Sequence, residues 1–243
     1  MLSYELQALQ EMKSWQRKMQ RKSSFINKLS KKMQVKLNSY IPEKIHAAVT
    51  STIKQMVRGV LIGAEFITGT PSYYETLEAR EAIAKEKISF YKKAAATEGG
   101  ITGAGGFLLA LADFPMLLSF KLKMLFDIAT VYGYSTKDFK ERLFILHIFQ
   151  ITFSSQEHRR NVFIQMKDWN EKSRLIPEDI NEFDWRNFQQ EYRDYIDIAK
   201  LAQLIPGIGA VVGVIVNYRL IDQLGETAIN AYRMRLQEDN MFG

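Results

Sequence analysis

The side chains able to do chemistry are few and scattered. His46, His147 and His158 lie far apart, and no His-Glu-x-x-His pattern occurs, so no metal centre is predicted. Cysteine is absent, which excludes disulfides, thiolate zinc sites, iron–sulfur clusters and cysteine nucleophiles. Gly103-Ala104-Gly105-Gly106 lacks both the lysine of a phosphate loop and a preceding strand, so it does not read as a nucleotide cradle. Two carboxylates stand out by position. Glu98 directly precedes a glycine-rich apolar run, where the helix dipole favours a first-turn acid. Asp113 closes that run just before Phe114-Pro115, the spacing of a helix cap worth about 1 kcal/mol with proline in the first turn. Neither acid has a nucleophile or base beside it. The expectation is a non-catalytic protein without cofactor or metal, an enzyme using Glu98 or Asp113 being an alternative. His147, inside an apolar helix, is expected to be a hydrogen-bonded core residue. Lys121 and Lys123 are expected on a solvated face, with Asp127 four residues after Lys123.

Two apolar glycine-rich segments must position or replace such chemistry. The first runs from Gly99 to Pro115 and the second from Leu201 to Val216. Gly99/Gly103, Thr102/Gly106 and Gly209/Gly213 are small-xxx-small pairs, with Gly207 just before the last pair. Such pairs lie on one helix face and let a second helix come close, as a glycine zipper. A transmembrane helix needs about 20 apolar residues. Asp113 and Pro115 interrupt the first segment too early, and Pro206 lies inside the second. Two readings stay open: a buried helical hairpin, or partial insertion into a bilayer.

Charge is unevenly placed. Of the net +6, residues 1–40 carry nine Lys or Arg against Glu5 and Glu11, a local +7, so the remainder sums to −1. Leu2, Leu9, Met12, Met19, Ile26, Met33 and Leu37 recur at helical spacing through this stretch. Trp15, Arg17, Lys18, Arg21, Lys22, Lys28, Lys31, Lys32 and Lys36 make it a basic amphipathic helix suited to an anionic membrane or an acidic partner. The competing reading packs the apolar stripe on the body and leaves the charges in water. Aromatic residues are not interleaved for base stacking, so nucleic acid is not an expected partner.

The rest reads as helix: about 41–66, 73–97, 116–131, 139–152, 185–203 and 211–236. Gly69-Thr70-Pro71-Ser72, Gly133 and Ile176-Pro177 fall between helices, and Ser135-Thr136-Lys137-Asp138 supplies capping chemistry. Alternating strand patterns are absent. This predicts one all-α domain with two central glycine-rich apolar helices and a peripheral basic N-terminal helix. The N-terminus lacks a basic stretch followed by an apolar core, so a cytoplasmic location is expected.

The run from Glu98 to Gly106, Ala112-Asp113-Phe114-Pro115 and Ala129-Thr130-Val131-Tyr132-Gly133-Tyr134 resemble the signature of the EcsC family. So do Ile205-Pro206-Gly207-Ile208-Gly209-Ala210, Asn217-Tyr218-Arg219 and Ala231-Tyr232-Arg233-Met234-Arg235, with further likeness at Trp15–Gln20 and Phe149–Ser155. The resemblance spans nearly the whole chain and makes residues 41–243 an EcsC-like helical domain behind the 1–40 helix. It implies a link to an ABC transporter, whose ATPase and membrane subunit are encoded beside the family's namesake, and it supplies no catalytic residues. The leading expectation is therefore a membrane-associated accessory protein that binds anionic lipid or a membrane protein, transporter subunits included. The alternative is a soluble protein-interaction module with both glycine segments as core.

Overall fold

The computed structural model describes residues 3–21, 43–62, 70–102, 114–177, 180–182, 184–196 and 213–241. Within them the chain is helical. The elements are α1 (Ser3–Gln20), α2 (Glu43–Ile62), α3 (Leu77–Thr102), α4 (Phe114–Val131), α5 (Phe139–Phe153), α6 (Gln156–Met166), the short α7 (Trp169–Lys172), α8 (Trp185–Tyr195) and α9 (Gly213–Glu238). An isolated bridge joins Ser154 to Ile196, and no sheet forms among the described residues.

Local chemistry explains the boundaries. α4 stops because Gly133 takes φ +92°, a conformation open to glycine without penalty. Tyr134 N–H then bonds Ala129 O, and Gly133 N–H bonds Thr130 O, closing the helix in a Schellman motif. Asn240, at φ +55°, ends α9 the same way, with Met241 N–H bonded to Leu236 O. Asp138 caps α5 by accepting from Lys140 N–H.

α5 is the central helix. Every residue from Glu141 to Phe153 is buried, so it is surrounded rather than amphipathic. α4 packs beside it and also hides Lys121, which is only 2% exposed and donates to Leu117 O. The expected solvated face therefore holds for Lys123 but not for Lys121. The lysine's four-carbon stem fills core space while its ammonium turns back to its own helix backbone.

α3, α4 and α9 form an antiparallel layer whose pairings fix its polarity. Arg80 bonds Tyr132 O near one end, and Tyr91 Oη donates to Asp127 further along. Between α3 and α9, Glu81 meets Arg233, Ile88 meets Gly225, and Lys92 meets Asp222. As numbering rises in α3 it falls in both partners. The C-terminus of α3 (Thr102) and the N-termini of α4 (Phe114) and α9 (Gly213) consequently share one pole of the bundle. Gly225 permits Ile88 of α3 to lie close against the α9 backbone: a Cβ there would lie 2.5 Å from Ile88 Cδ1. This helix-packing glycine is not one of those singled out from the sequence.

Candidate functional site

Two linked clusters of charge lie inside the fold, both centred on the last turns of α9. Arg233, 3% exposed, grips Glu81 with two parallel bonds of 2.6 Å, Nε to Oε1 and Nη2 to Oε2. Its Nη1 donates to Glu11 Oε2 at 2.9 Å, and Tyr4 Oη donates to Glu81 Oε2 at 2.7 Å. α1, α3 and α9 thus meet at one guanidinium. Planar bidentate pairing of this kind is the strong form of a charged hydrogen bond. Burial opposes the charge on Arg233, yet the bonds with Glu81 and Glu11 outweigh it and raise its pKa. Burial likewise pushes the Glu11 carboxyl upward, but the Arg233 bond carries it below the usual carboxylate range.

In the second cluster Arg235 Nη1 donates to Glu141 Oε2 at 3.1 Å, and Tyr232 Oη donates to Glu141 Oε1 at 2.7 Å. Burial holds the Glu141 carboxyl above its ordinary range despite Arg235 and Tyr232. The Arg235 guanidinium lies 4.3 Å from the Tyr134 ring centre and 4.9 Å from that of Phe144. Tyr132 and Tyr134 both stack on Tyr232, at 5.2 and 5.4 Å. The segments Ala129–Tyr134 and Ala231–Arg235 therefore pack against each other. Their charges and aromatic rings are structural partners, because each charged group is already engaged by another protein group.

Beside Arg233 a cleft of about 400 Å³ opens between α1, α3 and α9, with Glu11, Lys85, Lys92, Asp222 and Glu226 on its walls. Lys92 pairs with Asp222 at 2.5 Å and sits 3.9 Å from the Tyr218 ring centre. Among the described residues no three His, Asp or Glu side chains are grouped to hold a metal. His147 is buried, faces Gln150 Oε1 at 3.2 Å, and is held neutral by burial, which lowers its pKa to about 4. This is the core histidine expected from its apolar helix.

The residues picked out from the sequence divide by location. α1 buries Ala8, Met12, Trp15 and Met19 against the body, and Trp15 packs edge-on to Phe163. Trp15 is 4% exposed, so the structure places it in the core instead of on a contact surface. Its spacing from Met12 and Met19 puts it on the buried side of an amphipathic helix. Arg17, Lys18 and Arg21 are exposed. Lys22, Lys28, Lys31, Lys32 and Lys36 lie outside the described residues, as do Gly103, Gly106, Asp113, Gly207 and Gly209. Glu98 and Gly99 belong to α3, which continues unbroken to Thr102, and Gly213 opens α9.

Three of the four chain ends that border the glycine-rich segments, Thr102, Phe114 and Gly213, stand at the pole defined above. The fourth, Ile196, bridges Ser154 between α5 and α6. α5 starts and α6 ends toward the opposite end of the bundle, where Tyr134 bonds Asp239 and Asp168 bonds Glu238, so the Ser154 junction lies at the far end of both helices from there. Among the described residues no helix is long and apolar enough to cross a membrane. α1 joins the body at Arg233, about 30 Å from Gly213 along α9 at 1.5 Å per residue.

The sequence carried a signal for Tyr232, Arg233 and Arg235, which lie in a segment with family likeness. Glu81, Glu141 and Glu11 gave none, since nothing local separates them from the other acids of their helices.

Comparison with known proteins agrees with the sequence pattern. Residues 6–236 match the EcsC protein family. Protein EcsC of Bacillus subtilis (strain 168) is 44% identical over 232 residues, covering 95% of each chain. The uncharacterized protein YdbA of the same organism is 28% identical over 249 residues, covering 94% of this chain and 91% of its own. No solved structure matches the chain. The family match and the full-length identity together make this chain a member of the EcsC family.

Proposed function

We propose that this protein is a non-catalytic accessory protein of the EcsC type that docks reversibly on the inner face of the cell membrane, in a pathway shared with an ABC transporter. The observation that carries the reading is the common pole of Thr102, Phe114 and Gly213. Both ends of the first glycine-rich segment and one end of the second are thereby directed to one side of the molecule. A single approach to a bilayer can then engage both. Neither segment is long enough in sequence for an ordinary span, which suits shallow, reversible contact.

A second reading, a soluble protein-interaction module, is favoured by α1. Its main apolar stripe is seated on the body, so this helix can offer a membrane its charged face and Leu6, which is 50% exposed. Flotation of the purified full chain with phosphatidylcholine vesicles, with and without phosphatidylglycerol, separates the two. Flotation with anionic vesicles supports membrane docking, and its salt dependence reports the electrostatic share. Failure to float with any vesicle refutes docking on lipid and directs the search to protein partners.

A further inference from the structure

We infer that the cleft between α1, α3 and α9 is a binding site for an alkyl ammonium group, with the Glu226 carboxylate as its counter-ion. The inference is independent of membrane docking, because it rests on what the cleft walls leave unpaired. The floor is apolar: Ile88 of α3 lies against the α9 backbone at Gly225, and Ile229 follows one turn further along α9. Two ion pairs that cross between helices close the ends. Lys92 of α3 pairs with Asp222 of α9 toward the pole, and Arg233 of α9 pairs with Glu11 of α1 at the other end. From Asp222 to Arg233 α9 runs about 16 Å at 1.5 Å per residue. The volume of about 400 Å³ falls in the range of small-molecule sites.

The walls commit their donors and keep acceptors in reserve. The Arg233 guanidinium is engaged by Glu81, Glu11, Ala8 O and Asn230 Oδ1. Lys92 is held by Asp222 and the face of the Tyr218 ring. Lys85 turns to Tyr4 Oη at 3.1 Å on the rim, 3.8 Å from Glu81. Glu226 differs: among the described residues nothing pairs with its carboxylate. Asp222 stands one turn away, about 6 Å along α9, and only its Oδ1 is engaged among the described residues. The carboxylates at the cleft (Glu11, Glu81, Asp222 and Glu226) also outnumber the cations Lys85, Lys92 and Arg233. What this site lacks is a positively charged donor. An anion would face the carboxylates of the walls while every cation is already held. An ammonium brings three N–H groups to Glu226 and Asp222, and its alkyl stem covers Ile88 and Ile229 without stranding a polar group. The acids are not grouped to hold a metal ion among the described residues, so an organic cation fits them better.

Two sources carry this chemistry: a free alkyl amine and the lysine side chain of a partner protein. Cadaverine stands for the first and acetyl-lysine methylamide for the second. Each is titrated into the nitrogen-15-labelled full chain at neutral pH, where the amine is charged, and backbone amide shifts record both place and affinity. The expected result is saturable shifts at Ser89, Gly225 and Glu226, with affinity weakened about tenfold or more in E226Q. Glu86, an exposed acid of α3 away from the cleft walls, is the control, and E86Q is expected to bind as the parent does. Both variants change exposed positions, and circular dichroism melts confirm that they fold. Tighter binding of cadaverine assigns the site to a free amine, and equal or tighter binding of the lysine derivative assigns it to a side chain. The inference is overturned if neither probe gives saturable shifts at the cleft, or if E226Q binds both as the parent does. Vesicle flotation decides neither outcome, so this site and membrane docking stand or fall separately.

Discussion

Removing one partner from the Arg233–Glu81 pair tests the reasoning most directly. Glu81 is 0% exposed and accepts three bonds, two from Arg233 and one from Tyr4. Glu81→Gln keeps the shape and one acceptor oxygen. It removes the charge, and its amide nitrogen now faces either the guanidinium or the Tyr4 hydroxyl. Arg233 keeps its bonds to Ala8 O and Asn230 Oδ1, but its one remaining carboxylate is Glu11, whose side chain is 50% exposed and correspondingly screened. A buried ion pair broken from one side loses about 3–5 kcal/mol, and glutamine should fall near 3. For a chain of 243 residues that is a fall in Tm of about 6 °C, at roughly 2 °C per kcal/mol. Calorimetry and urea titration of E81Q, E81M, R233M and the double variant E81M/R233M measure it. The double variant should be more stable than R233M alone, because it leaves no carboxylate stranded in the core. An E81Q melt within about 1 °C of the parent, or E81M and R233M losses that simply add in the double variant, would refute the claim that this pair organises the α1–α3–α9 junction.

Two further outcomes follow from local geometry. Gly225→Ala should destabilise by about 1–3 kcal/mol, since its Cβ would meet Ile88 Cδ1 at 2.5 Å and Cγ1 at 2.7 Å. Trimming Ile88 to alanine in the same chain should recover part of that loss in a thermal melt, and no recovery would mean that α3 and α9 are spaced by something else. His147 has a folded pKa of about 4 against an ordinary 6.5, so its stabilising effect is complete above pH 6.5 and drains away as pH falls toward 4. The drop is about 3 kcal/mol at most by linkage. Urea midpoints between pH 7 and 4.5 should therefore fall less in His147→Gln than in the parent, and identical slopes would remove the histidine from the account.

The helices themselves were legible because their determinants are local. The apolar run of α5, the proline in the first turn of α4, the glycine after Val131 and the Asp138 cap act within a few residues, and the described boundaries follow them. Family membership was legible for a related reason: short motifs survive as strings. The sequence alone left open which side of α1 faced a partner. It could not decide, because an apolar stripe satisfies a bilayer and a protein core by the same physics.

What only the tertiary structure decided is the burial of charge and the direction of the chain ends. Glu81 and Arg233 are 152 residues apart, and each lies on a helix with several other charged side chains. Helical periodicity ranks positions by hydrophobicity, so it assigns such residues to water by default. A buried charge is stable only when its counter-charge arrives from another helix in the right geometry, and that is a property of packing. Lys121 was also assigned to water by periodicity, whereas packing buries its stem and its ammonium donates to Leu117 O of its own helix. The shared pole of Thr102, Phe114 and Gly213 has the same origin, since antiparallel packing of α3 with α4 and α9 sets it and no single segment records it.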